Sequence, residues 1–305
     1  MKKKCNLIIG STGFIGERVC KIISKKIDLY TISKKNNMSF SKKHFLINTE
    51  KFYQLNEVIY GLKKKYEKID VFFLAGESSV ENSILNSRLS INKSVISFHN
   101  LILCLKNFNS TIIFASSGSV YDSRVRSFFS ENDPLRPPSP YAAIKYASEG
   151  MAMSYCETFG MDIRIARMFS VFGEKMNRFF IFDLVKKLKK SNGQIFLKGS
   201  GNQERDYLHV DDVAKGLITI LNNGSRGEVY NLCSGKAVKL KDLSKKIKNM
   251  LNKNETKVIW DKKSTNGIRD CWYGKNKKIK SIGFNHKKSF NERLRSTINY
   301  IYKKL

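Results

Sequence analysis

Residues 6–16 read NLIIGSTGFIG, and this stretch decides the fold. A short apolar run ends in Gly10, Gly13 and Gly16 at a GxxGxxG spacing, and a helix is predicted directly afterwards over Ile15–Lys25. Glycines at these positions permit a tight turn and a close approach of the backbone to a pyrophosphate, which then lies on the helix N-terminus. Because the triplet ends the first predicted strand and opens the first predicted helix, it indicates a dinucleotide-binding unit rather than a plain strand-to-helix turn.

The first half of the chain alternates short apolar runs with segments that carry apolar residues at helical spacing, such as Ile15–Lys25 and Ser90–Lys106. The predicted strands are Asn6–Gly10, Leu29–Ile32, Val71–Ala75, Thr111–Ser116 and Ile163–Arg167. Strands separated by helices predict a parallel sheet that is covered on both faces. We therefore expect an α/β fold with a Rossmann-type doubly wound parallel sheet.

The pattern loosens after Arg167, and we expect a smaller mixed α/β domain for the substrate there. The elements predicted in it are a helix over Phe182–Lys190, a strand at Gln194–Lys198, a strand at Glu228–Leu232 and a helix over Leu240–Leu251. The predicted boundaries are 1–167 for the NAD(P)-binding domain and 168–305 for the nucleotide-sugar-binding domain. Some later segments, such as 206–222, are expected to return to the first domain.

The formal net charge of +30 is the most prominent feature of the composition. Lysines are spread along the whole chain, and no RNA-reading motif with interleaved aromatic residues is present, so we expect no nucleic-acid partner. A general attraction for anionic small molecules is expected instead. No apolar run is long enough to cross a bilayer, which predicts no membrane insertion.

The six cysteines are scattered without a CxxC pair, which argues against a zinc site or a disulfide framework. We expect no metal and a reducing compartment. The basic start of the chain is followed by an apolar stretch that Gly10 breaks after Leu7–Ile9, so we expect no signal peptide and a cytoplasmic location.

The end of the second predicted strand bears on the choice of dinucleotide. An acidic residue there would bind the adenosine ribose hydroxyls and favour NAD. The chain instead reads LYTISKKNN over residues 29–37, with Ser33, Lys34 and Lys35 at the critical place. A hydroxyl and two ammonium groups suit a 2′-phosphate, so NADP is favoured, while a solvated lysine pair beside NAD stays open.

The segment SPYAAIKYASE, residues 139–149, places Tyr141 four residues ahead of Lys145 on a predicted helix. Residues at this spacing share a helix face. A neighbouring ammonium lowers the pKa of a phenol, so Tyr141 could exchange a proton with a substrate near neutral pH, although an ordinary surface helix has the same spacing. Upstream, an apolar strand runs into Ser116, Ser117 and Ser119, where ligands of a parallel sheet gather.

Taken together, the glycine triplet, SSGSVY at residues 116–121 and YxxxK at 141–145 resemble the extended short-chain dehydrogenase/reductases. The resemblance continues in RMFSVFGE at 167–174, ERDYLHVDDVA at 204–214 and EVYNLCSGKAV at 228–238, so it covers nearly the whole chain. It is closest to the nucleotide-sugar epimerase/dehydratase branch, which includes UDP-galactose 4-epimerase.

The resemblance implies roles for particular residues. Ser117, Tyr141 and Lys145 match the catalytic residues of the family, and Lys145 would also hold the nicotinamide ribose. The implied cofactor contacts are Gly10, Thr12, Gly13, Phe14, Ile15, Gly16, Ser33, Lys34, Lys35, Ala75, Asn92, Tyr141 and Lys145. The implied substrate contacts are Ser117, Ser119, Ser170, Arg205 and Arg269, with the two arginines on the diphosphate.

Departures from the family pattern reduce the number of reactions that the resemblance allows, and they argue against a dehydratase. Dehydratases of the family carry an acidic residue directly after the catalytic threonine, whereas this chain has Gly118 and Ser119. The favoured function is an NADPH-dependent 4-ketoreductase acting on an NDP-4-keto-(6-deoxy)hexose in surface polysaccharide sugar biosynthesis. The alternatives are an NAD-dependent NDP-sugar 4-epimerase and, from another class, a non-catalytic dinucleotide-binding sensor. A sensor would be expected to lack Tyr141 or Lys145.

Two further expectations concern assembly and a histidine. The apolar residues of 94–106 and 151–159 would suit the helix bundle of a homodimer, and they would equally suit an intramolecular core. His209 is expected to be structural, packing at the domain junction rather than transferring protons.

Overall fold

The computed structural model describes residues 3–23, 28–36, 41–122, 124, 128–261, 270–286 and 288–305. The strands, numbered in chain order, are β1 (Lys4–Ile9), β2 (Asp28–Ser33), β3 (Lys43–Leu46), β4 (Lys68–Phe73), β5 (Ser110–Ser117), β6 (Asp162–Met168), β7 (Ser170–Phe172), β8 (Gln194–Leu197), β9 (Glu204–His209), β10 (Val229–Leu232), β11 (Ala237–Lys239), β12 (Lys257–Trp260) and β13 (Cys271–Trp272). The α-helices are α1 (Phe14–Ile23), α2 (Phe52–Lys63), α3 (Val80–Leu85), α4 (Ser87–Ile91), α5 (Ser97–Leu105), α6 (Pro140–Phe159), α7 (Phe179–Lys190), α8 (Val210–Asn223), α9 (Leu240–Met250), α10 (Lys277–Ser281) and α11 (Phe290–Lys304). A π-helical turn, Asn92–Ile96, joins α4 to α5, and a 3₁₀ turn, Gly118–Val120, follows β5.

The large sheet has seven strands in the order β10-β6-β5-β4-β1-β2-β3, and each pair of neighbours is parallel. The chain runs outward from β1 to β3 and then crosses back to β4 on the other side of β1. Ligands of such sheets bind beyond the carboxyl ends of the strands, at the point where the strand order reverses. The predicted Rossmann-type fold is confirmed, and it places the candidate site beside β1 and β4.

Buried apolar side chains cover both faces of this sheet. On one face α2, α5 and α6 contribute residues such as Leu55, Phe98 and Ala152. On the other face α1 and α8 contribute residues such as Val19 and Leu217. Because both faces are covered, the strands can be apolar along their whole length, as β5 is.

The smaller mixed domain is also confirmed. Its main sheet has β9 at the centre, paired with β7, β11 and β13, while β8 pairs with β12. Helices α7, α9 and α11 pack around a separate apolar cluster that includes Leu184, Leu243 and Ile298. The end of β9 leads directly into α8, which packs on α1 and the large sheet.

The strand predicted at Glu228–Leu232 exists as β10, but its assignment to the smaller domain is wrong. Val229–Leu232 pairs in parallel with Ile165–Met168 of β6 and forms the edge of the large sheet. A run of four residues is too short for its pattern to indicate which sheet it joins. The partner is decided by the preceding helix, α8, which returns the chain to the large sheet.

Candidate active site

The glycine turn after β1 has the geometry that the sequence predicts. Gly10 has φ of +90°, and a Cβ built on it would lie 2.8 Å from the backbone nitrogen of Ala75. A Cβ on Gly16 would lie 2.2 Å from the carbonyl oxygen of Gly10, which also accepts a hydrogen bond from the Gly13 N–H at 3.0 Å. Only glycine fits the close contacts at residues 10 and 16, and the turn leads directly into the N-terminus of α1 at the switch point.

The other predicted cofactor residues lie around this turn. Thr12 belongs to it, Phe14 and Ile15 open α1, and Ala75 follows β4 beside Gly10. Asn92 begins the π-helical turn, a rare conformation that is frequent at functional sites. The cofactor roles of these residues stay predictions.

In the segment Ser33–Lys35, the Ser33 hydroxyl and the Lys34 ammonium already have partners within the protein. The Ser33 hydroxyl donates to the carbonyl oxygen of Lys35 and accepts from the Lys35 N–H at 3.2 Å. The Lys34 ammonium forms an ion pair with Glu50, with Nζ and Oε1 2.5 Å apart. Glu50 was not among the predicted site residues. It is brought to the turn by the segment between β3 and α2, four residues after the end of β3.

The structure brings Ser117, Tyr141 and Lys145 together at the carboxyl end of β5. Helix α6 begins at Pro140, and its N-cap Ser139 accepts a hydrogen bond from the Ala142 N–H at 3.3 Å. This start places Tyr141 in the first turn, where the Ser117 side chain is near enough to its hydroxyl to lower the pKa of the phenol. Lys145 follows one turn later on the same face.

Tyr141 does not have the lowered pKa that the YxxxK spacing suggested. Burial raises its pKa, the hydrogen bond with Ser117 and the charge of Arg178 oppose this effect, and Glu77 adds to it. A cation that acts on the phenol is Arg178, which comes from the segment before α7. The spacing places two side chains on one face, but it does not fix where the lysine ammonium goes.

The ammonium of Lys145 turns toward the sheet. It is buried, and it donates a hydrogen bond to the carbonyl oxygen of Ala115 at 2.8 Å. Burial lowers the pKa of Lys145 to about 8, and the carboxylates of Glu149 and Glu77 limit this decrease because they favour the charged form.

Glu149 belongs to a buried ion pair behind the catalytic residues, which the sequence analysis missed. Its Oε2 lies 2.7 Å from Nη2 of Arg167, and the Arg167 Nε lies 3.1 and 3.2 Å from the two carboxylate oxygens. The Ser116 hydroxyl also donates to Glu149. The Arg167 guanidinium lies 4.8 Å from the ring centroid of Tyr121. The four-residue interval from Lys145 to Glu149 was the available signal.

Glu77 is a third carboxylate that the sequence analysis missed, and it follows β4 directly after Ala75 and Gly76. Its Oε1 accepts hydrogen bonds from the backbone N–H groups of Ser78 and Ser79 at 2.8 and 2.9 Å. Its own N–H donates to the Ser94 hydroxyl in the π-helical turn at 2.9 Å. Ser78 in turn accepts a hydrogen bond from Arg178 at 2.6 Å. Glu77 and Arg178 thus flank Tyr141 from two different elements.

Three of the predicted substrate residues, Ser170, Arg205 and Arg269, belong to the part of the chain after β6. Arg205 lies on β9, is buried, and donates through Nη1 to the carbonyl oxygens of Glu204 and Asp270 at 2.8 and 2.9 Å. Burial lowers its pKa. Arg269 lies outside the described residues. Ser170 lies on β7, beside Tyr207 of β9.

The smaller domain reaches the catalytic strand at Gly118. A Cβ on Gly118 would lie 2.7 Å from the Phe169 ring and 2.9 Å from Nε1 of Trp272. In the 3₁₀ turn, the Ser119 N–H donates to the Ser117 hydroxyl at 3.2 Å. Gly118 therefore permits a contact that a carboxylate side chain at this position would prevent. Trp272 was not predicted as a site residue.

His209 lies at the junction of β9 and α8. Its Nδ1 accepts from the Asp211 N–H at 3.2 Å, and its Nε2 lies 3.2 Å from Oε2 of Glu174. The hydrogen bond from His209 holds the pKa of Glu174 at about 2. The buried ring also packs on Phe172 at 5.3 Å between centroids, which agrees with a structural role.

Among the described residues, no group of three or more His, Cys, Asp or Glu side chains is placed to hold a metal ion. No helix in the described part of the chain is long and apolar enough to cross a membrane.

A glycine turn at the switch point of a parallel sheet, with serine, tyrosine and lysine at the neighbouring strand end, defines an oxidoreductase of the short-chain dehydrogenase/reductase class. A family model described as the NAD dependent epimerase/dehydratase family matches residues 6–233. The chain belongs to this family, and it is an NAD(P)-dependent enzyme of the nucleotide-sugar branch. The prediction of an enzyme is confirmed.

Individual relatives are distant in sequence and similar in fold. The chain is 28% identical to a putative UDP-glucose 4-epimerase of Methanocaldococcus jannaschii over 97% of both lengths. It is 29% identical to a dTDP-D-glucose 4,6-dehydratase of Dictyostelium discoideum over 80% of this chain and 61% of that protein. The structure of UDP-glucose 4-epimerase from Thermotoga maritima superimposes with a TM-score of 0.88 at 22% identity, covering 98% of this chain and 99% of that one.

Proposed function

We propose that the protein is an NAD-dependent 4-epimerase of a nucleoside-diphosphate sugar. The observation that carries this proposal is the Ser117–Tyr141–Lys145 arrangement in a chain that matches a putative 4-epimerase from end to end. A part in building surface polysaccharide sugars stays a prediction.

The glycine turn fits a dinucleotide, because side chains at residues 10 and 16 would clash with backbone atoms and prevent the tight turn on which a pyrophosphate would bind. The α1 N-terminus would hold that pyrophosphate, and Lys145 would hold the nicotinamide ribose. When bound, the nicotinamide ring supplies the hydride acceptor and afterwards the hydride donor.

Tyr141 performs the proton transfer of this reaction. As the phenolate it would take the proton of the sugar C4 hydroxyl when C4 is oxidised, and it would return a proton to that oxygen when C4 is reduced on the other face. The hydrogen bond from Ser117 and the charge of Arg178 favour the phenolate against the effect of burial. Ser117 is also positioned to hold the sugar oxygen beside the phenol.

A second candidate is the NADPH-dependent 4-ketoreductase. It is favoured by the raised pKa of Tyr141, because a protonated phenol suits a residue that only donates its proton to a ketone. Lys34 and Lys35 also favour it, although Lys34 is paired with Glu50.

The two functions are distinguished by the fate of the cofactor. Purified protein is incubated with UDP-glucose, UDP-N-acetylglucosamine and UDP-glucuronate, and the sugars are separated by chromatography. Formation of a 4-epimer without added cofactor, absent in Tyr141→Phe, supports the proposal. NADPH consumption with an NDP-4-keto-6-deoxyhexose and no epimer in any mixture would replace it with the reductase.

We also propose that the enzyme forms a homodimer through α3–α5 and α6. Within residues 94–106, Phe98 and Leu101 are buried in the core, whereas Leu103 is 41% exposed. Leu85 is 71% exposed and Phe159 is 46% exposed on neighbouring elements. Analytical ultracentrifugation should show a dimer that Leu103→Lys weakens. A monomeric wild-type protein would contradict this proposal.

A further inference from the structure

The turn after β2 is fixed against the glycine turn, so its charges would meet the adenosine ribose of a dinucleotide. The N–H groups of Gly10 and Ser11 both donate to the carbonyl oxygen of Ile32, at 2.9 and 3.4 Å. The next three residues, Ser33–Lys35, therefore lie directly beside the cradle of the pyrophosphate. Any group that is held at this turn acts on the ribose and on its 2′ substituent.

Glu50 is held at this turn through its main chain. Its N–H donates to Oδ1 of Asn48 at 3.1 Å, and its carbonyl oxygen accepts from the Asn100 side chain at 3.1 Å. The side chain of Glu50 is 17% exposed, whereas that of its partner Lys34 is 53% exposed. The carboxylate is thus the more buried member of the ion pair, and the lysine is the more exposed one.

His44 fixes the other side of the turn. It pairs with Thr31 in the β2–β3 register, and its Nδ1 lies 2.8 Å from the Thr31 hydroxyl. Its Nε2 lies 3.0 Å from the carbonyl oxygen of Lys35 and 3.3 Å from the Ser33 hydroxyl. Because a carbonyl oxygen can only accept, Nε2 carries the proton. The Ser33 hydroxyl donates its proton to the Lys35 carbonyl oxygen within the turn, so it does not donate to a phosphate.

We propose that Glu50 makes the enzyme select NAD over NADP. Its carboxylate takes the place of the acidic residue that β2 lacks, accepts the ribose hydroxyls and neutralises Lys34. A 2′-phosphate carries about −1.5 to −2 charges at neutral pH and would be repelled by the same carboxylate. The inference rests on the proposed function for the existence of the dinucleotide site, but not for the reaction.

The experiment uses the adenosine end of each dinucleotide alone. Dissociation constants of 5′-AMP and 2′,5′-ADP are measured by calorimetry with wild-type protein, Glu50→Gln and Glu57→Gln. Glu57 is an exposed carboxylate on α2, so its variant has the same gain in net charge without the contact to Lys34. The binding of NAD⁺ and NADP⁺ is measured in parallel.

We expect Glu50→Gln to shift the affinity ratio toward 2′,5′-ADP by about fivefold, the size of an exposed ion-pair contribution, and Glu57→Gln to leave it unchanged. Adding Lys34→Ala to Glu50→Gln should cancel the shift. Equal ratios for the two single variants, or a wild-type preference for 2′,5′-ADP, would overturn the inference while leaving the epimerase assay valid. Failure of wild-type protein to bind any of the four compounds would overturn the dinucleotide site itself.

Discussion

Burial of Lys145 should make the stability of the fold increase with pH, and Lys145→Met should remove this dependence. The folded-state pKa of Lys145 is about 8, against an ordinary value of 10.5. Between these values the unfolded chain binds a proton that the folded protein has released, so the free energy of unfolding rises with pH. Below pH 8 the folded and the unfolded protein both carry the charged Lys145 ammonium. The whole free-energy cost of burying this charge then lowers the free energy of unfolding.

The magnitude follows from the size of the shift. Each pKa unit corresponds to about 1.4 kcal/mol, so the buried ammonium costs about 3 kcal/mol at neutral pH. About 2 kcal/mol of this cost is recovered when the pH rises from 7 to 9.5, because Lys145 is then neutral in the folded protein. The methionine variant has no group to titrate at this position.

The assay is urea unfolding of wild-type protein and Lys145→Met at both pH values. The free energy of unfolding of the wild type should gain about 2 kcal/mol relative to the variant. Lys241→Met, which removes an exposed lysine, is the control and should show no pH-dependent difference. A difference between wild type and Lys145→Met that is the same at both pH values would refute the reasoning.

Three other substitutions test the site. Tyr141→Phe should lower turnover by ~100- to 10,000-fold, because the general acid–base group is lost, and leave dinucleotide binding intact in a fluorescence titration; near-native turnover would contradict its role. Gly16→Ala should weaken dinucleotide binding and lower the melting temperature, because its Cβ would lie 2.2 Å from the Gly10 carbonyl oxygen. Its control is Gly61→Ala, where a Cβ meets nothing within 4 Å and should stabilise the helix. Arg205→Ala should weaken binding of the nucleotide sugar at least about tenfold, through lost charge-assisted bonds, and leave the cofactor affinity unchanged; an equal loss for both ligands would show that the arginine only supports the fold.

The sequence predicted the catalytic strand and helix well because their signals are local. The strand expected at Thr111–Ser116 extends over Ser110–Ser117, and its apolar run ends at the serines that mark the site. Helix α6 starts where a serine cap followed by Pro140 indicates. In both elements the residues that decide the structure are the same residues that carry the chemistry.

The carboxylates of the site could not be predicted because each depends on a tertiary contact. Glu50 approaches Lys34 only because β3 adds to the edge of the sheet, and β3 is a four-residue strand that reads KHFL, without a clear apolar pattern. Glu149 is defined by its pairing with Arg167 on a different element. Both residues look like ordinary solvated charges when they are read along the chain.

The protonation state of Tyr141 follows the same division between local and tertiary effects. The YxxxK spacing correctly places Lys145 on the same helix face as Tyr141. The Lys145 ammonium, however, donates its hydrogen bond to the Ala115 carbonyl oxygen. The charges that act on the phenol, Arg178 and Glu77, come from the segments before α7 and after β4. A substitution at Arg178 or Glu77 would change one of these charges and leave the YxxxK motif intact. We therefore infer that the motif supplies the proton-transfer group of the site, whereas the surrounding charges determine the pH range in which that group works.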